Sequence, residues 1–141
     1  EGLVLAGFLE RDDPREALVA RDGLKLSELP PGAVIGSSSI RRVAQLRQLR
    51  PDLEFQLIRG NVETRLRKVF DGQYDATVLA MAGLCRLGLE THVTQVFEVD
   101  EFIPAPGQGC IGVEIRESDC ELVELLSRIT HHPTAASVRA E

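Results

Sequence analysis

Between residues 33 and 87 the chain repeats one pattern three times: a short apolar strand, a tight turn, and an amphipathic helix. No other feature limits the fold as much. Consecutive strand–turn–helix units build a parallel sheet through right-handed crossovers. The first unit has a strand at 33–36, a turn at 37–39 and a helix over Ile40–Leu49, closed by Arg50-Pro51. Val43, Leu46 and Leu49, with Ala44, form its expected apolar stripe. The second has a strand at 54–58, a turn at Arg59-Gly60, Asn61 as N-cap and a helix over Val62–Phe70. The third joins a strand at 75–79 to a helix at 80–87 that stops at Gly88.

The flanking sequence adds further strands. Residues 3–9 read as a buried strand, with shorter ones at Glu16–Ala20, 94–97 and 110–115. A helix is expected over 118–129, and His131-His132-Pro133-Thr134 is a solvated turn into a last helix. The expected fold class is therefore α/β, with a parallel or mixed sheet flanked by helices. In such sheets, ligands bind beyond the carboxyl ends of the strands.

Charge points to the same edge. Residues 37–68 hold eight basic side chains and three acidic ones, a surplus of five in a chain whose net charge is −6. The rest of the sequence therefore carries −11. Fourteen of the 16 cations are Arg, the better residue for bidentate contacts to carboxylate or phosphate. The acidic balance as a whole argues against nucleic-acid binding. Cys85, Cys110 and Cys120 are odd in number and lack C-x-x-C spacing. They are expected to be buried or half-buried thiols in a reducing cytosol, with no zinc site or disulfide framework. His92, His131 and His132 form no metal constellation, and no apolar run is long enough to span a membrane.

Arg41 and Arg42 fall in the first turn of a helix, where the dipole disfavours a cation by about 0.3–1 kcal/mol. A bound anion would reverse that preference, because helix N–H groups and guanidinium groups both attract it. Ser37, Ser38 and Ser39 add hydroxyl donors and a cap. Arg59 ends a strand, and Arg65 follows about one turn into the next helix. Both can project over the same edge, whereas the direction of Arg86 is open. Arg47, Arg50, Arg67 and Lys68 are expected to face solvent. No Ser/His/Asp set, P-loop or G-x-G-x-x-G pattern is present. The residues alone give an α/β domain with an arginine-lined polyanion site and no catalytic group.

Four segments carry a resemblance: Gly36-Ser37-Ser38-Ser39-Ile40-Arg41-Arg42, Ile58-Arg59-Gly60-Asn61-Val62-Glu63-Thr64-Arg65-Leu66, the stretch from Ala80 to Gly88, and Pro106-Gly107-Gln108-Gly109. In order and spacing they resemble the porphobilinogen deaminase (hydroxymethylbilane synthase) family. The resemblance implies a cytoplasmic transferase of tetrapyrrole and haem biosynthesis. Such an enzyme joins four porphobilinogen molecules into hydroxymethylbilane and releases ammonia. A covalent dipyrromethane cofactor primes the chain, so the partners are porphobilinogen and oligopyrrole polycarboxylates, with no nucleic acid and no membrane. The parent is expected to be a monomer. Carried over by motif, Ser37, Ser38, Ser39, Arg41, Arg42, Arg59 and Gly60 would bind the cofactor, and Arg65 and Arg86 the substrate.

The family's catalytic Asp lies upstream of the counterpart of Glu1, and its cofactor-bearing Cys lies downstream of that of Glu141. No catalytic residue is thus expected in this chain, which should be inactive alone. It begins without Met and ends inside an expected helix, as a piece of a longer protein would. The resemblance implies one lobe of a type II periplasmic-binding-protein-like fold. Residues 1–103 would form the central domain, and 104–141 a hinge strand and helices returning to the first. Without the resemblance, the same site suits a non-catalytic anion-binding lobe of a solute- or effector-binding protein.

Overall fold

Short runs rich in Val, Ile, Leu and Ala become strands here, and polar caps decide where the helices begin. A computed structural model describes residues 2–141. It contains β1 (Leu3–Phe8), β2 (Glu16–Ala20), β3 (Val34–Gly36), α1 (Ile40–Leu49), β4 (Glu54–Gln56), α2 (Val62–Phe70), β5 (Ala76–Ala80), α3 (Met81–Arg86), β6 (Gln95–Phe97), β7 (Gly112–Arg116), α4 (Cys120–Ser127) and α5 (His132–Ala140). They fall into two compact units. One is Arg15–Pro104, and the other joins the chain's first fourteen residues to Ala105–Glu141. Residues 2–14 group with the C-terminal stretch, because β1 pairs with β7.

The larger unit is a five-stranded sheet in the order β4-β3-β5-β2-β6. β3 runs parallel to β4 and β5, while β2 is antiparallel to β5 and β6, so the sheet is mixed. Alternation along β2 sorts its side chains onto two faces. Leu18 packs with Ile35, Leu46 of α1, Phe97 and Phe102. Ala17 and Val19 pack on the other face with Leu66 of α2 and Leu84 of α3. Helices thus cover both faces, and every residue of β2 is buried.

Caps account for the helix starts. The Ser39 side chain accepts from the Arg42 N–H at 3.4 Å, and Asn61 Oδ1 accepts from the Thr64 N–H at 2.9 Å. On α1 the buried contact is Leu46, whereas Ala44 is exposed and Leu49 is 39% exposed, so the core-facing stripe is narrower than expected. Arg50 is half-buried rather than solvated. Its guanidinium donates to the carbonyls of Leu26 and Leu29 and pairs with Asp52, whose carboxyl is held below its usual range by that hydrogen bond.

In the smaller unit, β1 and β7 form a two-stranded antiparallel ribbon. The expectation of a buried strand at residues 3–9 fails for its first half: Leu3, Val4 and Leu5 are exposed. A two-stranded ribbon has few neighbours to cover it, and Leu126 of α4 packs against Gly7, at the buried end of β1. Cys85 and Cys120 are also exposed, contrary to expectation, and Cys110 is half-buried. His131 is half-buried, with Nδ1 2.8 Å from Thr134 Oγ1, instead of lying in a solvated turn. Arg11 donates to the Gln108 carbonyl at 2.9 Å and pairs with Glu141. A Cβ on Gly109, at φ +85°, would sit 2.6 Å from the Asp12 carbonyl oxygen, so only glycine fits there.

Candidate functional site

The carboxyl ends of β3, β4 and β5 share one edge of the larger unit. The antiparallel start of β2 lies at the same edge, because Glu16 sits opposite Ala80 and Phe97. α1 and α2 begin there, directly after β3 and β4. Between them is an open groove of about 300 Å³ bordered by Arg42, Gly60, Asn61, Arg65, Ala80 and Gly83.

Two guanidinium groups meet this groove with donors to spare. Arg42 spends Nε and Nη2 on Glu16 Oε2, at 3.0 and 2.8 Å, which leaves Nη1 outside the pairing. Arg65 spends Nε on the Gly60 carbonyl at 2.8 Å, leaving both terminal nitrogens. Gly60 adopts φ +121°, and a Cβ there would stand 2.6 Å from Thr64 Cγ2. A side chain is thus excluded both by conformation and by space. None of the groove's lining residues is acidic. The α2 N-terminus adds positive potential behind the Asn61 cap. The arrangement suits a ligand with more than one carboxylate.

Of the residues singled out from sequence, Arg42, Gly60 and Arg65 converge on this groove. Ser37, Ser38, Ser39, Arg41, Arg59 and Arg86 do not line it. Ser37 is buried, and its Oγ accepts from the Ser39 N–H at 3.2 Å, shaping the turn before α1. Ser39 is the α1 cap, and Ser38 is exposed beside it. Arg41 reaches Glu16 Oε1 and the Ile103 carbonyl, each at 2.5 Å. Arg59 is exposed, with its main-chain carbonyl accepting from Lys68 Nζ at 3.1 Å. Arg86 ends α3 with an exposed side chain.

Glu16 is the residue that sequence reasoning missed. It is fully buried and pairs with both Arg41 and Arg42. The cations in the first turn of α1 therefore have an internal counter-ion from another strand. One carboxylate facing two guanidinium groups still leaves a surplus positive charge. The signal was a glutamate opening a strand of otherwise apolar residues, since a buried carboxylate needs a cation.

Other depressions exist. One of about 580 Å³ lies at the opposite edge, among Ala20, Arg21, Phe70 and His92. Its arginine is already engaged by Asp75 at 3.2 Å and by Asp22 at 3.6 Å. Among the described residues, no group of three or more His, Cys, Asp or Glu is placed to hold a metal ion. No helix there is long and apolar enough to cross a membrane.

In fold the chain, a mixed α/β sheet flanked by helices, resembles a lobe of periplasmic-binding-protein-like structures. It superposes on a YaeC-family lipoprotein of Enterococcus faecalis with TM-score 0.59 and 16% identity, covering 95% of this chain and 64% of that one. A periplasmic binding protein of Salmonella typhimurium gives TM-score 0.51 at 11% identity, over 92% of this chain and 59% of the other. At these identities the likeness concerns fold alone. The sequence is more specific. Residues 1–124 match the family model described as porphobilinogen deaminase, dipyromethane cofactor binding domain. The chain is 58% identical to a porphobilinogen deaminase of Thermobifida fusca over 142 residues, covering all of this chain and 44% of the relative. It is 54% identical to one from Roseiflexus castenholzii, covering 99% of this chain and 46% of the relative. This chain belongs to the porphobilinogen deaminase family. It spans somewhat less than half the length of those relatives.

Proposed function

We propose that this chain is the carboxylate-holding portion of a hydroxymethylbilane synthase. The whole enzyme is a transferase that joins four porphobilinogen molecules head to tail and releases four molecules of ammonia. One observation carries the reading: Arg42 and Arg65, on two different helices, leave N–H donors open at one groove of a chain that belongs to this family. Pyrroles bearing acetate and propionate groups present several carboxylates, which is the chemistry these donors fit.

The same donor set fits the family's dipyrromethane cofactor, itself a polycarboxylate. Arg42, Arg65 and the main chain at Gly60 would hold it, with Arg41, Arg59 and the serines at 37–39 close in sequence to that site. When bound, the cofactor supplies the primer on which the pyrrole chain grows. This chain's own residues neutralise carboxylates and fix the orientation of what they hold. Orientation and charge neutralisation lower the barrier for a reaction between two bound partners. Arg65 and Arg86 are assigned to substrate by the family motif, although only Arg65 borders the groove. No side chain of this segment is given a proton-transfer role, so the segment alone is inactive. The parent enzyme is placed in the cytoplasm as a monomer.

The test is porphobilinogen consumption by the full-length protein and by this segment in parallel. Turnover by the full-length protein alone supports the reading. Turnover by the segment refutes the assignment of a purely holding role, and no turnover by a cofactor-loaded full-length protein refutes the function.

A further inference from the structure

Glu16 lies outside every motif that carries the family resemblance, yet it touches both cations at the start of α1. Its side chain is completely buried, and its two oxygens are divided between them. Oε1 takes Arg41 Nη2 at 2.5 Å, and Oε2 takes Arg42 Nε at 3.0 Å and Nη2 at 2.8 Å. β2 fixes this carboxylate rigidly, because Glu16 is paired on both sides, with Ala80 and Phe97. Arg41 is braced again by the Ile103 carbonyl, which also accepts from Gln45 Nε2 at 3.0 Å. The Ile103 N–H returns a bond to Gln45 Oε1 at 2.7 Å.

We propose that Glu16 is a positioning residue for the carboxylate groove. It grips Arg42 by its Nε edge, so that Nη1 is left for the ligand. Arg41, held between Glu16 and Ile103, keeps that carboxylate from turning. A buried ion pair costs desolvation and is a weak source of stability, so its value here lies in fixing one geometry. An arginine already aligned loses less freedom when a carboxylate arrives. This inference rests on the carboxylate reading of the groove, and the experiment separates the two.

The full-length protein is prepared as wild type, Glu16→Gln and Glu16→Asp. Calorimetry measures binding of porphobilinogen and, separately, of citrate as a generic polycarboxylate. The Arg42 Nε–H resonance, assigned through Arg42→Lys, reports the grip itself without activity. In wild type that proton is protected from solvent exchange. In Glu16→Gln it joins the exchanging pool and both affinities fall about tenfold, the scale of one charge-assisted hydrogen bond. Glu16→Asp keeps the charge and recovers part of both. Wild-type affinity in Glu16→Gln overturns the proposal, as does an unprotected Arg42 Nε–H in wild type. If Glu16→Gln does not fold, Glu16→Asp and the wild-type resonance decide. Wild-type binding of citrate without porphobilinogen refutes the proposed function and leaves citrate to judge Glu16. Binding of neither ligand overturns both.

Discussion

β1 and β2 are both short and apolar, yet they have opposite fates. β2 lies inside a five-stranded sheet, with strands on both sides and helices over both faces, and all five of its residues are buried. β1 lies in a two-stranded ribbon, and its first three residues face solvent. The apolar run supplies a strand in each case. The number of neighbours decides whether the strand is core. The same contrast governs charge: a glutamate is held at the start of β2 only because the sheet brings two arginines to it.

The comparison is broken most forcefully at that glutamate. The double variant Arg41→Ala/Arg42→Ala strands a buried carboxylate, and its expected cost in urea unfolding is about 3–5 kcal/mol. Glu16→Gln should cost clearly less. The guanidinium groups it frees are 29% and 13% exposed and can reach water, whereas Glu16 cannot. Equal losses would mean that the anion is not the trapped partner. A lost activity in the arginine variants must therefore be corrected for stability before it is read as lost ligand contact.

Next comes a matched pair of truncations. Leu18→Ala in β2 should cost about 2–5 kcal/mol, as a buried leucine does. Leu3→Ala in β1, at 58% exposure, should stay within about 0.5 kcal/mol. Similar values at the two sites would remove the distinction drawn between the strands. Asn61→Ala, which deletes the α2 cap bond at the edge of the groove, should cost about 1 kcal/mol by the same measurement.

The smallest effect is one of pH and belongs to the smaller unit. Glu141 is held below the usual carboxylate range, first by its hydrogen bond from Arg11 and then by the Gly107 N–H. A depressed carboxylate stabilises the fold above its unfolded value, and that contribution is lost as pH falls through the folded one. Acid titration of wild type against Glu141→Gln should thus show the two converging only in the acid limb. A difference that instead grew toward low pH would reverse the sign and reject this account of the pair.

Much of this was readable in advance because its causes are local. Helices α1 and α2 have the expected bounds, since Ser39 and Asn61 cap their starts and Arg50-Pro51 and Asp71-Gly72 follow their ends. The edge that carries the groove followed from the order of strands and turns. The partners of each arginine were not readable. Arg41 meets Glu16 and Ile103 across 25 and 62 residues, and Arg50 turns inward to Leu26 and Leu29, so tertiary packing decides which cations are free. Likewise, the stripe Val43–Leu46–Leu49 gave the right helix, but only the sheet's shape shows that Leu46 carries the core contact.

The pairing of Leu3 with Arg116 has a consequence for how the polypeptide is made. Ribosomes add about 5–20 residues per second, so β1 has emerged for roughly 5–20 seconds before its partner strand is synthesised. The unit Arg15–Pro104 is complete before then and can close around its own sheet during synthesis. For that interval the leucines of β1 lack this partner strand on the nascent chain, where a holding chaperone would be most useful.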